Sequence, residues 1–241
     1  MKNAIWDAEA IERLHEFGDK YRPNEYFSNM IGDKIVKYTK KWVKLKEKAE
    51  ILDYGCGPGF LINYLLQNGY KVSGMDFTHE SVNIANDKHS GKKGFEGAYY
   101  FEDILKSGKT YDVIYVIEVI EHLSDEYLMD MFDKLKRLLN VGGVIIFTTP
   151  NDQDLIKDSV YCPFCDTLFS PVQHVRSWNK ESVGNVLSTA GFSINCIEEV
   201  NFSEMYLPFS EKIILGLKKI NRKIRKIDVK KTNLVVVCSY K

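Results

Sequence analysis

The chain has 241 residues, 44% of them hydrophobic, which is enough for one large buried core in a single α/β domain. Its 33 Lys and Arg balance 33 Asp and Glu, so no global field draws it to nucleic acid and no specific nucleic-acid partner is expected. Five cysteines argue for reduced thiols over a disulfide framework, and no run approaches the roughly 18 apolar residues that open a membrane-span reading.

The start, Met1-Lys2-Asn3-Ala4-Ile5-Trp6-Asp7, reaches an acid where a secretory signal needs apolar residues, so a cytoplasmic location is expected. Residues 7–48 then carry Ile11, Leu14, His15, Phe17, Tyr21, Tyr26, Phe27, Ile31, Ile35, Val36, Tyr38 and Trp42, interrupted by Pro23. That pattern predicts two or more helices, making 1–48 a helical cap on the domain that follows from 49 to 241.

A hydrophobic strand is predicted over 50–54, and it runs into Gly55-Cys56-Gly57-Pro58-Gly59. Three alternating glycines let the backbone close on a ligand where a strand hands over to a helix. The order is not the G-x-G-x-x-G of a dinucleotide site, and Asp53 stands two residues before the first glycine. A carboxylate there repels pyrophosphate and suits an ammonium group. A nicotinamide-dependent oxidoreductase is therefore disfavoured, and the ligand reads as an amino-acid conjugate.

This stretch resembles the D-x-G-C-G-x-G loop of class I S-adenosylmethionine-dependent methyltransferases. The resemblance implies a Rossmann-like, doubly wound α/β fold. Its seven-stranded sheet is mostly parallel and ends in an antiparallel C-terminal edge hairpin. It also implies that Asp53, Gly55, Cys56, Gly57 and Gly59 line the S-adenosyl-L-methionine site.

A helix is predicted over 60–68, stopping at Gly69, then a strand over 71–75 ending at Asp76. An acid roughly 20 residues past the glycine loop is placed to accept hydrogen bonds from ribose hydroxyls, and Phe77 adjoins it on the cofactor side. After a helix over 80–88 and a polar loop, a short strand over 98–101 ends in Glu102-Asp103-Ile104. By resemblance, Asp103 sits beside the adenine amino group and Ile104 against the ring.

The near-continuous apolar run over 111–117 predicts a fully buried parallel strand. Its sequel, Glu118-Val119-Ile120-Glu121-His122-Leu123, resembles the E-V-L-E-H-L segment of small-molecule methyltransferases such as the ubiquinone-biosynthesis O-methyltransferases, which implies Glu118 beside the methionine part of the cofactor. A helix over 125–139 and a strand over 144–148 ending in Pro150-Asn151 continue the likeness, which covers 50–151. A helix begins at about 179 and stops at Gly191; strands over 192–200 and 233–240 supply the edge hairpin.

Two inserts interrupt this plan, at 152–178 and 203–230. Cys162 and Cys165 have metal-ligand spacing, and His174 is a third donor for a structural zinc whose fourth ligand would be Asp166, Cys196 or a residue of another subunit. Two reduced thiols in a packed loop are the competing reading, and a redox pair lacks the helix it should open. The segment 173–178 resembles the acceptor-facing loop of the family. That implies His174, Arg176 and Trp178 on the acceptor side; because imidazole suits proton removal near neutral pH, His174 and then His122, which follows the fourth strand and could instead only orient backbone or cap a helix, are the candidate bases, and Arg176 could clamp an acidic acceptor. The basic stretch 210–227 sets Ile213, Ile214, Leu217, Ile220, Ile224 and Ile227 among Lys212, Lys218, Lys219, Arg222, Lys223, Arg225 and Lys226. Such a helix either packs on the domain or lies on a membrane surface or polyanion.

The expected activity is methyl transfer by in-line displacement to a small-molecule acceptor, at a hydroxyl oxygen. The alternative is a cofactor-binding module without turnover that uses the cysteine insert as a metal or interaction platform. Oligomeric state and acceptor identity are left open.

Overall fold

Apart from Asp53, the runs at 51–54 and 113–117 are aliphatic or aromatic on both faces, so both must lie inside a sheet covered on its two sides. The computed structural model describes residues 2–41, 49–224 and 230–240, and places them so. Strands β2 (Glu50–Tyr54), β3 (Lys71–Asp76), β4 (Phe95–Tyr100), β5 (Tyr111–Ile117) and β6 (Leu139–Pro150) pair in parallel. β10 (Asn233–Ser239) runs antiparallel to β6 and to the edge strand β9 (Ser193–Val200). The order β4-β3-β2-β5-β6-β10-β9 is the expected seven-stranded doubly wound sheet. Strand order reverses between β2 and β5, where open α/β sheets bind ligands beyond the carboxyl ends of their strands.

Helices α3 (Phe60–Gln67), α4 (His79–His89), α5 (Phe101–Lys106), α6 (Asp125–Leu138) and α7 (Lys180–Thr189) flank the sheet. Their sequence reasons are local. Thr78, Ser124 and Asn179 cap α4, α6 and α7 by accepting backbone N–H groups, and Asn179 and Ser182 form a reciprocal capping box. Leu128, Met131, Phe132, Leu135 and Leu138 recur at helical period along α6 and bury one stripe against the sheet face that carries Ile114, Val116 and Phe147.

The cap comprises α1 (Ala8–Tyr21), a short turn of 3-10 helix at Pro23–Glu25 and α2 (Phe27–Thr39). Ile35 and Val36 are fully buried against Leu61, Ile62 and Leu65 of α3 and Tyr115 of β5, so α2 belongs to the main core. Trp42 lies outside the described residues, as do Arg225, Lys226 and Ile227 of the basic stretch. That stretch forms α8 (Phe209–Ile224).

A second, three-stranded sheet was not expected. β7 (Val160–Cys162) and β8 (Thr167–Phe169) fold the cysteine insert into a hairpin, and β1 (Lys2–Asn3) pairs in parallel with β8. The expected strand over 98–101 also shifts. Phe101 opens α5 instead, and Asp103 and Ile104 lie on that helix.

Candidate active site

The loop after β2 is held open by three left-handed glycines, Gly55 (φ 76°), Gly57 (φ 49°) and Gly59 (φ 77°). The Gly55 and Cys56 amides donate to the Met75 carbonyl at 2.8 and 2.9 Å, and the Gly57 amide donates to Asp76 Oδ2 at 2.9 Å. Asp76 Oδ1 accepts from the Thr78 amide at 3.0 Å and from its hydroxyl at 3.1 Å. The acid expected to meet a ribose is therefore also the brace of the glycine loop. Cys56 turns its thiol into the core, where the Cβ missing from Gly74 would lie 2.9 Å from its sulfur. The thiol also donates to the Gly57 carbonyl at 3.4 Å, so it braces the loop from inside.

Asp53 is 2% exposed, and its Oδ2 has no hydrogen-bond partner. Burial, with the charge of Asp76 adding to it, pushes its carboxyl up to about 8. An orphaned buried acid beside a glycine cradle lacks a cation, and the ammonium of an amino-acid conjugate supplies one. The residues present thus fit the S-adenosylmethionine that the resemblance implies.

The cap covers this region. The His15 ring stands edge-on to half-exposed Phe77 at 5.4 Å, and Tyr26 tilts against Phe60 at 5.5 Å. Nothing in the sequence pairs His15 or Tyr26 with this region, because the contacts join residues 62 and 34 positions apart along the chain. Ile104 is buried, but in the core cluster with Met75 and Tyr111, while Asp103 is exposed and pairs with Lys106 at 3.6 Å.

The second half of the site grows from the end of β5. Glu118 adopts φ 52°, a left-handed conformation that a side-chain-bearing residue takes only under constraint. Its Oε1 accepts from the Thr148 hydroxyl at 2.8 Å, and Glu121 Oε2 accepts from the Thr149 hydroxyl at 3.0 Å. Burial raises both carboxyls, and the charge of Glu118 raises Glu121 further. Val119 presses on the glycine loop, since a Cβ on Gly55 would lie 2.7 Å from its Cγ2.

His122 and His174 meet edge to face at 4.8 Å, and His174 Nε2 lies 4.0 Å from Glu121 Oε1. His174 Nδ1 donates to Gln153 Oε1 at 2.6 Å, which leaves its Nε2 with a free lone pair. Burial holds both imidazoles below their usual range, His122 down to about 3, with His174 and His15 adding to the effect. The loop carrying His174 is pinned by main chain: Val175 N donates to Glu121 O at 2.9 Å, and Gln173 Nε2 to His122 O at 3.0 Å.

Three expectations need correction. Cys162 and Cys165 flank the turn of the β7–β8 hairpin, but they do not join His174. Among the described residues the one cluster with metal-ligand spacing is Glu121, His122 and His174, so the Cys162, Cys165 and His174 zinc site does not form. Trp178 is a core residue at 6% exposure, packed in the cluster of Phe132 and Leu187, and not the exposed aromatic expected beside an acceptor. Arg176 pairs with Asp125 at 2.9 Å, at the start of α6, which engages the guanidinium that was expected to clamp an acceptor.

A glycine cradle at the first β–α turn, an unpaired acid at the strand's end and an acid braced at the next strand define a nucleoside-binding α/β enzyme domain with a cationic ligand. The methyltransferase domain family matches residues 21–197, and the chain belongs to that family, within the class I S-adenosylmethionine-dependent methyltransferases. Curated relatives include the ubiquinone biosynthesis O-methyltransferase of Coxiella burnetii, 29% identical over 126 residues, covering 51% of this chain and 52% of the relative. The corresponding protein of Rhizobium leguminosarum is 33% identical over 108 residues, 44% of this chain and 42% of that one. The chain thus matches about half the length of these relatives.

Among solved structures, an S-adenosylmethionine-dependent methyltransferase from Clostridium acetobutylicum superposes with a TM-score of 0.62 at 14% identity, over 95% of this chain and 98% of that one. The glycopeptide N-methyltransferase MtfA in complex with sinefungin gives 0.60 at 9% identity, over 88% and 94%. The [4+2]-cyclase SpnF gives 0.58 at 13%, over 86% and 81%. The fold is shared by proteins of different named activities, so the acceptor must be argued from the site.

Proposed function

We propose that the protein transfers a methyl group from S-adenosylmethionine to a hydroxyl oxygen of a small-molecule acceptor. The observation that carries this reading is the cluster of buried Glu121 with half-buried His122 and His174 at the carboxyl end of β5, beside the strand end that holds the glycine loop. When bound, the cofactor supplies a methyl on a sulfonium centre whose sulfur is already an activated leaving group. The chain's own task is placement, exclusion of water and removal of the hydroxyl proton. Asp53, Gly55, Gly57, Gly59 and Asp76 hold the cofactor, Cys56 contributes its backbone, Phe77 lies under the cap, and Glu118 links the two halves. Asp103 and Ile104 remain the candidates near adenine. His174, and after it His122, act on the acceptor, while Arg176 and Trp178 fix the loop that carries His174.

The test is methyl transfer to a panel of phenols, catechols, sugars and thiols, followed by mass spectrometry. A methyl ether on a hydroxylated acceptor is expected. His174→Ala is expected to lower kcat by about 100-fold or more with adenosylhomocysteine affinity essentially unchanged. Adenosylhomocysteine binding with no methylated product across the panel would favour the non-catalytic module.

The exposed Ile213, Ile214 and Leu217 of α8, with Lys212 and Lys218 exposed beside them, support a contact with an anionic bilayer. Pelleting with phosphatidylglycerol vesicles but not with phosphatidylcholine alone is expected, and Leu217→Asp should release the protein. Binding to heparin with no vesicle binding would assign the helix to a polyanion.

A further inference from the structure

We propose that Cys162 and Cys165 of two copies of the chain together hold one Zn²⁺ as a tetrathiolate, which joins the copies through the β7–β8 hairpin. Within one chain the pair lacks further ligands, but its own geometry is that of a ligand pair. β7 and β8 pair Val160 with Phe169, Tyr161 with Leu168 and Cys162 with Thr167, so Pro163-Phe164-Cys165-Asp166 is the whole turn. Pro163 has no N–H to offer, and the next two amides, of Phe164 and Cys165, both donate to the Cys162 sulfur. The Cys165 thiol donates to it as well. Donors converging on one sulfur suit a thiolate, the form in which cysteine binds zinc. Asp166 closes the turn at φ 54°, a left-handed conformation that a residue with a Cβ takes only under constraint. The two sulfurs are thus already in contact, and Zn–S bonds of about 2.3 Å set tetrahedral sulfurs about 3.8 Å apart.

Structural zinc takes four ligands. All five cysteines and all five histidines of the chain lie among the described residues, and no third one groups with Cys162 and Cys165; nor, among the described residues, does any Asp or Glu. The missing donors therefore come from another molecule, and a second copy brings an identical pair. A contact about a two-fold axis matches like with like, so two hairpin tips supply two thiolates each.

The surface around the pair fits that occupant. Phe164, between the two cysteines, is 97% exposed, Val160 and Tyr161 are exposed on the same hairpin, and the Cys165 thiol is exposed too. β7 is the open edge of its three-stranded sheet. The hairpin is also footed on the N-terminus, where Ala4 N donates to Leu168 O at 3.0 Å beyond the β1–β8 pairs, so little ordering remains for the metal to impose. No helix opens at either cysteine, which sets the pair apart from redox dithiols. None of this rests on the methyl-transfer reading.

The full chain, reduced, stripped with a chelator and exchanged into clean buffer, is to be titrated with ZnCl₂ and CoCl₂ while sedimentation velocity follows its mass. Sulfur-to-cobalt charge transfer counts only thiolate-bound metal, and it is expected to saturate at one ion per two chains as monomer becomes dimer. Cys162→Ser and Cys165→Ser should each abolish both the charge transfer and the metal-dependent dimer. Phe164→Ser, which keeps the amide, should weaken that dimer about tenfold. His174→Ala should change neither. Circular dichroism and adenosylhomocysteine titration on the same samples certify that the variants fold, and a wild type that dimerises on zinc without binding adenosylhomocysteine would sink the cofactor reading and leave the zinc site standing. Charge transfer that saturates at one ion per chain in a monomer, a dimer that persists in the stripped protein, or no charge transfer from the reduced chain overturns the site.

Discussion

Asp53→Asn is expected to weaken adenosylhomocysteine binding by about 10- to 100-fold, the effect of about 1.5–3 kcal/mol for a hydrogen bond to a charged group. The same residue makes binding depend on pH. Its carboxyl is pushed up to about 8 by burial and by Asp76, so below that pH the ligand-free protein carries a proton that a cationic ligand must displace. Affinity should therefore rise with pH up to about 8 and level off above it. Calorimetry in buffers of different ionisation enthalpy should show release of close to one proton at pH 7. In Asp53→Asn both the slope and the proton release should vanish.

The sign for stability is the reverse. A carboxyl whose folded pKa is raised contributes stability that is fully present below its unfolded value, 3.8, and is lost as pH rises through about 8. The unliganded wild type should thus lose thermal stability relative to Asp53→Asn across that window, and saturating adenosylhomocysteine should narrow the difference. A pH-independent difference in affinity and in Tm would show that Asp53 acts by shape and not by charge.

The parts of this site that could be read from sequence are those written within one strand and its following loop. Asp53, the three glycines and Asp76 announce themselves by spacing, because a βα turn brings neighbours in sequence into one cradle. The seven strands were legible for a similar reason, their buried runs bounded by turn residues. What sequence did not show is the pairing of elements far apart. Glu121 meets His174 because Val175 and Gln173 bond to the backbone of the 121–122 turn, and Gln153 sets the His174 tautomer from a third loop. No local period encodes such contacts. The zinc reading failed on the same ground. Cys162 and Cys165 have ligand spacing, but the hairpin of β7 and β8, stitched to β1 at the N-terminus, keeps them out of the His174 cluster.

Gly59→Ala is expected to show the largest loss of stability among loop substitutions, about 2–5 kcal/mol, with adenosylhomocysteine binding falling along with it. Two costs add. The left-handed backbone at φ 77° penalises any Cβ by about 1–2 kcal/mol. The added carbon would also lie 2.8 Å from His89 Nε2, 2.9 Å from its Cδ2 and 3.3 Å from Ala85 Cβ. Neither neighbour is a flexible chain end. His89 is fully buried at the end of α4, kept neutral by burial; its Nε2–H donates to the Gly59 carbonyl at 2.8 Å, and its Nδ1 accepts from Lys92 at 3.2 Å. Pushing the ring away would break the bond that fixes the N-terminus of α3, so overpacking adds about 1–3 kcal/mol.

Differential scanning calorimetry should record a Tm lower by about 4–20 °C for a chain of this size. A double-mutant cycle separates the two costs. His89→Ala alone destabilises by leaving a cavity and by removing one of the two donors to the Gly59 carbonyl, the other being the Asn63 amide at 3.3 Å, but in combination with Gly59→Ala it removes the obstacle, so the double variant should lose about 1–3 kcal/mol less than the two single losses added together. Strict additivity would show that backbone strain alone makes glycine necessary at position 59, and that His89 tolerates a methyl group at the mouth of the cofactor loop.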